Sequence, residues 1–404
     1  MKPKFFRKVL SNGMTVILEK RDVPVVSVAF AVRCGGINES FEEKGISHFI
    51  EHLLYKGTPT RSSKMIAEEI EKKGGVLNGF TDETITAYWC KMPNQHLDVA
   101  LDVLGDMVKN PKFDLKEVEK ERHVIFEEMK MYKDNPMHYV FEKMQGALYG
   151  GSFGIPLIGT EDTLNSFDRN KIVERFEKFY VPKNMILCVV GDAEFEDLVK
   201  FAEKKFVGGN CNLENSESVE ISLNNKSISE KRKGIDQASL VFAHHVPTLK
   251  EKNGYASCVL SSLMAGGMSS RLFQEIREKR NLAYSVKGGS EVSVDFAYNF
   301  VYVGAKKENI ESIKKMILDE FEIVSKDLTE GELNQVKEEI VGNLQISTED
   351  SQTQMVSLLH YEICGDAKMF YDIEKNIRAV KIADVKKLAR DAVKAHSFVS
   401  LVPE

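Results

Sequence analysis

Within residues 45–57, GISHFIEHLLYKG, three side chains have the types and spacing for metal chemistry: His48, Glu51 and His52. The run around them is apolar at helical spacing. On a helix, positions four apart lie one turn apart on one face, so both imidazoles can reach a single ion. Glu51, three residues after His48, projects beside them without having to be a ligand. Two zinc-binding nitrogens beside a carboxylate make a site where that carboxylate can take a proton from a metal-held water. A helix with two partly buried histidines is the plain alternative for so short a pattern, so a third ligand has to be sought elsewhere.

A catalytic zinc needs three protein ligands and an open position. Residues 114–133 contain EKERHVIFEEMKMY, in which Glu121 and Glu128 are seven apart and therefore share a helix face with Val118, Ile125, Met129 and Tyr132. That face is apolar and faces inward. Glu127 falls instead with Lys120, His123 and Lys130, toward solvent. Carboxylates on a buried face need a partner, because an unpaired buried charge is costly. A metal would supply one, and a lysine from elsewhere is the competing partner.

With these motifs in place the chain resembles the pitrilysin/insulinase zinc peptidases, which include the mitochondrial processing peptidase. H-x-x-E-H is the inverted order of the H-E-x-x-H zinc motif. In the family it is followed by a glutamate ligand in an E-R-x-x-I-x-x-E-like helix; here ERHVIFEE supplies it, with 75 residues between His52 and Glu128. The resemblance implies one zinc per chain held by His48, His52 and Glu128, with Glu51 as general base and Glu121 supporting the ligand shell. NGFTDETITAY is similar to the family's N-A-x-T-x-x-E-T strand, with Gly79 in place of the commoner alanine. By that likeness Asn78, Gly79, Phe80 and Thr81 would bind an extended peptide added as a strand to a sheet edge. SSRLFQEIREKRNLAYSV looks like the family's R-x-x-x-x-L-x-Y segment, which would set Arg277 and Tyr284 against the substrate carbonyl or developing oxyanion.

The elements that must position these residues are legible in the pattern. Strands are expected at 14–19, 25–33, 76–80, 84–92 and 185–191, and helices at 62–73, 94–109, 114–133, 136–149, 169–180 and 195–206. The second half then repeats the first. LTEGELNQVKEEIVGNLQ at 328–345 resembles FDLKEVEKERHVIFEEMK at 113–130, an offset of about 215 residues, and the stretch from Ile377 mirrors that from Leu164. The copy of the histidine helix, VLSSLMAGGMSS, has neither histidine nor carboxylate, and Asn343 stands where Glu128 does. The expected fold class is α+β: two homologous halves, each a mostly antiparallel sheet packed with helices. Residues 1–210 would form the zinc-binding domain and 225–404 a metal-free homologous domain contributing Arg277 and Tyr284. The polar stretch 208–229 would be the linker.

Bulk properties narrow the function classes. A length of 404 residues gives ample chain for large cores. A net charge of −6 argues against a general nucleic-acid binder. Six scattered cysteines without a C-x-x-C pair read as reduced thiols. No apolar run has transmembrane length, so no membrane partner is expected and a cytoplasmic location is. The function expected is a zinc-dependent endopeptidase hydrolysing unfolded peptides or targeting-type presequences inside a closed chamber. A homodimer is the expected assembly. A heterodimer with an inactive partner is the alternative, although Ala265-Gly266-Gly267-Met268 is short for such a partner's expanded glycine-rich loop. A non-catalytic scaffold and a peptide-capture module are further readings that metal content and peptide cleavage would separate.

Overall fold

A computed structural model describes residues 4–208, 219–251 and 253–404. The chain forms two compact units: Met1–Met129 with Pro156–Val219 and Ser347–Phe370, and Lys130–Ile155 with Glu220–Ile346 and Tyr371–Glu404. Each contains one sheet.

The first unit's sheet is built from β1 (Lys4–Val9), β2 (Thr15–Lys20), β3 (Val25–Val32), β4 (Val76–Thr81), β5 (Thr86–Pro93) and β6 (Met185–Gly191), in the order β1-β2-β6-β3-β5-β4. Only β2 and β6 run parallel. β3, VVSVAFAV, is apolar almost throughout because both of its faces are covered. Ser27 meets Ser351 of the Ser351–Ile363 helix on one side, Oγ to Oγ 2.9 Å. Phe30, pointing the opposite way, meets Phe201 and Phe206 on the other.

The second sheet repeats this topology. β7 (Ile228–Arg232), β8 (Ala238–His245), β9 (Ala283–Val292), β10 (Ala297–Ala305) and β11 (Ser397–Pro403) lie in the order β7-β11-β8-β10-β9. Replacing β2 to β6 by β7 to β11 converts the first order, less β1, into the second. The parallel pair recurs as β7 and β11. Phe242 of β8 packs on Phe321 of the Ile310–Asp327 helix, while Phe300 of β10, on the opposite face, packs on Phe141 of the Pro136–Leu148 helix.

The halves 1–210 and 225–404 thus supply one sheet each, yet each compact unit takes a helix from the other half. Pro136–Leu148 covers β8 and β11, and its counterpart about 215 residues later, Ser351–Ile363, covers β3 and β6. Both helices start on a side-chain cap, Asn135 and Asp350. The second is tied down by Glu362, whose buried carboxylate accepts from Arg7 at 2.7 and 2.8 Å and from Arg33 at 2.8 Å. Of the polar stretch 208–229, residues 209–218 lie outside the described residues, and Ile228 opens β7.

Candidate metal centre

The histidine helix spans Ile46–Leu54. Gly45 precedes it at φ +96°, and a Cβ there would stand 2.6 Å from the Ile158 carbonyl oxygen, so the helix can start against that loop only from a glycine. Ile46, Phe49, Ile50, Leu53 and Leu54 bury one side. The opposite side carries His48 and His52, with ring centroids 4.7 Å apart.

The second element is the Leu115–Asp134 helix, whose buried positions include Val118, Glu121, Arg122 and Ile125. Arg122 locks it in place: its guanidinium donates to the carbonyls of Leu164 and Phe167 and lies 5.5 Å from the centre of the Phe49 ring. This packing brings Glu128 to the histidines. Its Oε2 is 3.7 Å from His48 Nε2 and 3.5 Å from His52 Nε2. Tetrahedral zinc with bonds of about 2.0–2.1 Å needs donors about 3.3 Å apart, so this two-nitrogen, one-oxygen set fits the ion with a small contraction. It is the cluster of metal-ligand type among the described residues. The three side chains are 14–21% exposed, which leaves the site open to solvent on one side.

Glu121, 1% exposed, stands behind the ligands. Its Oε2 is 3.4 Å from His52 Nδ1, the nitrogen not directed at Glu128, and its Oε1 is 2.8 Å from Lys56 Nζ. A carboxylate on the far nitrogen fixes a ligating histidine's tautomer and ring angle. Burial alone would raise the Glu121 carboxyl, but His52 and Lys56 outweigh it and hold it below its ordinary value. Burial would likewise depress His52, but its bonds to Glu121 and Glu128 outweigh that and lift it to about 9. Burial, with His52 beside it, pushes His48 down to about 4. The two imidazoles therefore differ in proton affinity before any ion binds.

Glu51 does not join the cluster. Its Oε2 accepts a 2.7 Å hydrogen bond from the hydroxyl of Thr81, on the strand expected to bind substrate. Burial pushes the Glu51 carboxyl above its ordinary value, which Thr81 partly opposes. A raised carboxyl beside the ligands suits a group that must take up a proton and release it again. Thr81 ends β4, an edge strand paired with β5 alone. On that strand Asn78 is exposed and its Oδ1 accepts from the Gly79 backbone N–H at 2.8 Å. Phe80 stacks on His360, ring centroids 6.1 Å apart.

Arg277 and Tyr284 belong to the second unit. Arg277, in the Phe273–Glu278 turn, has a half-exposed side chain resting 4.8 Å over the Phe273 ring. Tyr284 is 56% exposed on β9, the edge strand matching β4. The helix equivalent to Ile46–Leu54 is Gly254–Ala265, which carries neither histidine nor carboxylate. Lys56 and the Thr81 contact were not anticipated from sequence. The signal for Lys56 was its place four residues, one turn, after His52.

Known proteins resemble this chain along most of its length. Residues 15–161 match the family described as insulinase, peptidase family M16, and residues 166–340 match the one described as the peptidase M16 inactive domain. A Bacillus subtilis protein named as the uncharacterized zinc protease YmxG is 32% identical over 393 residues, covering 95% of this chain and 94% of that protein. An uncharacterized zinc protease of Rickettsia felis is 32% identical over 86% of this chain and 85% of its own. A protease from Helicobacter pylori shares the fold with a TM-score of 0.91 at 23% identity, covering 99% of this chain and all of that one.

Proposed function

Because the chain belongs to the insulinase peptidases, family M16, we propose that it is a zinc-dependent endopeptidase hydrolysing unfolded peptides or targeting-type presequences inside a closed chamber. The observation that carries this reading is the convergence of His48, His52 and Glu128 with Glu51 beside them. One zinc bound by these three side chains would supply Lewis acidity and a water activated for attack on a peptide carbonyl. The chain's own part is to place and move protons. Glu51, held by Thr81, accepts the proton of the attacking water and returns it to the leaving amine. Glu121 keeps His52 in the tautomer whose Nε2 is free to ligate. The open side of β4, with Asn78, Gly79 and Phe80, receives the peptide backbone as an added strand. Arg277 and Tyr284 donate to the carbonyl oxygen as it gains charge.

We assign a homodimer in a cytoplasmic, reducing setting. Among the described residues the thiols of Cys34, Cys90, Cys188 and Cys258 form no disulfide, which supports that setting. No helix among the described residues is long and apolar enough to cross a membrane. The test of the function is cleavage of a quenched library of unfolded peptides, with and without a chelator, beside Glu51→Gln. The variant should keep its zinc and lose hydrolysis. Activity within about tenfold of wild type would contradict a general base, whose usual contribution is about 10²–10⁴-fold.

A further inference from the structure

Tyr55 is the residue at which the histidine helix ends. Its hydroxyl is buried and has no hydrogen-bond partner among the described residues. Buried hydroxyls are nearly always satisfied, so a missing partner calls for an explanation. Tyr55 sits against the same strand as Glu51. A Cβ at residue 79 would lie 2.4 Å from Tyr55 Oη, 3.1 Å from Glu51 Oε1 and 2.9 Å from the Ala87 carbonyl oxygen. The hydroxyl and the carboxylate thus converge on one point beside β4. Gly79 is not in the left-handed region, so its backbone would accept any residue. What glycine provides at 79 is room, and the Tyr55 hydroxyl takes the nearest part of it.

We infer that Tyr55 is a positioning residue for Glu51, its hydroxyl donating to Oε1 while Thr81 donates to Oε2. This rests on Glu51 being the general base. A buried carboxylate with one donor can still turn about its last side-chain bond. A donor on each oxygen fixes its plane and stabilises its charged form. The two oxygens lie 2.4 and 3.1 Å from the same point, so rotation of the Glu51 side chain is the movement that would join Oε1 to the hydroxyl. Tyr55 has no part in holding the ion or the peptide, so its effect should fall on turnover alone.

The test uses the full-length zinc protein and the variants Tyr55→Phe, Gly79→Ala, the double variant and Glu51→Gln. Tyr55→Phe should lower kcat about tenfold to a hundredfold, the scale of one charge-assisted hydrogen bond. KM and zinc content should stay within about twofold of wild type. Gly79→Ala should lower kcat similarly, because its methyl displaces the hydroxyl. In the metal-free protein Gly79→Ala should lower Tm, and adding Tyr55→Phe should restore part of it by removing the nearer of the two oxygens that lie within 3 Å of the methyl. Wild-type kcat in Tyr55→Phe, or a loss that follows zinc content or KM, would overturn the inference. So would a Tm that the double variant fails to recover even in part, which would leave the Ala87 carbonyl as the group the methyl meets. An active Glu51→Gln would refute the general base itself. An inactive Glu51→Gln beside a fully active Tyr55→Phe would refute only the positioning role.

Discussion

Replacing Glu121 by glutamine removes one charge and almost no volume from a residue that is 1% exposed. The amide can still accept from His52 Nδ1 but no longer balances Lys56, whose Nζ lies 2.8 Å from Oε1. Outer partners of ligating histidines are worth about 10–100-fold in metal affinity, which is about 1.4–2.7 kcal/mol. A second effect opposes this loss. Without metal, His52 is held protonated to about 9 by Glu121 and Glu128, so at neutral pH zinc must displace a proton. Glu121→Gln makes that proton easier to remove. The affinity loss should therefore be smaller at pH 7 than at pH 9, where the competition has faded and the full factor is seen. Competition with a zinc chelator at the two pH values measures it. The same raised group contributes to the metal-free protein's stability. Its contribution is fully present below the unfolded value of 6.5 and is lost as pH rises through about 9. Given partial exposure, that is of order 1–3 kcal/mol. Urea unfolding of metal-free wild type should show this decline, and Glu121→Gln should flatten it. Unchanged zinc affinity at both pH values, or a loss greater at pH 7, would refute the reasoning.

Glu128→Gln should sharply lower zinc content by elemental analysis while Glu127→Gln leaves it nearly unchanged, since Glu128 Oε2 meets both histidines and Glu127 is exposed. The reverse result would mean that the wrong face of the Leu115–Asp134 helix had been chosen. Glu362→Ala should cost about 3 kcal/mol in urea unfolding, the lower end for breaking a buried ion pair because Arg7 and Arg33 are each about a quarter exposed. Zinc content should not change, and a cost below about 1 kcal/mol would show that the Ser351–Ile363 helix is not anchored as described. Tyr284→Phe should lower peptide turnover with zinc content unaltered, and normal turnover would remove Tyr284 from the oxyanion role.

Much of the molecule was legible in the chain. Apolar positions at helical and alternating spacing marked the elements, and the worn repeat gave two α+β halves. The two sheets, with their matching strand orders, have that repeat's form. Expected and observed element boundaries differ by only a few residues; the 94–109 helix, for example, begins as a short turn before Leu97. The family was readable because its motifs combine a local pattern with a long spacing, and chance rarely reproduces both.

Local periodicity settles which side chains share a face, because the geometry of a helix turn is the same wherever the helix sits. Thus the sequence by itself put His48 beside His52, and Glu121 on one stripe with Glu128. It could not say which partner each stripe would meet, since that depends on how two helices pack. Only the tertiary structure decided that Glu128 comes within 3.7 Å of both Nε2 atoms, that Glu121 is shared between His52 and Lys56, and that Thr81 reaches Glu51. The same limit explains the exchanged helices. The pattern that marked a helix at 136–149 names no sheet for it to cover, and its counterpart Ser351–Ile363 was not among the expected elements. Their destination is set by what buries that side best: Phe141 against Phe300 in one case, and Ser351 against Ser27 with Glu362 under Arg7 and Arg33 in the other.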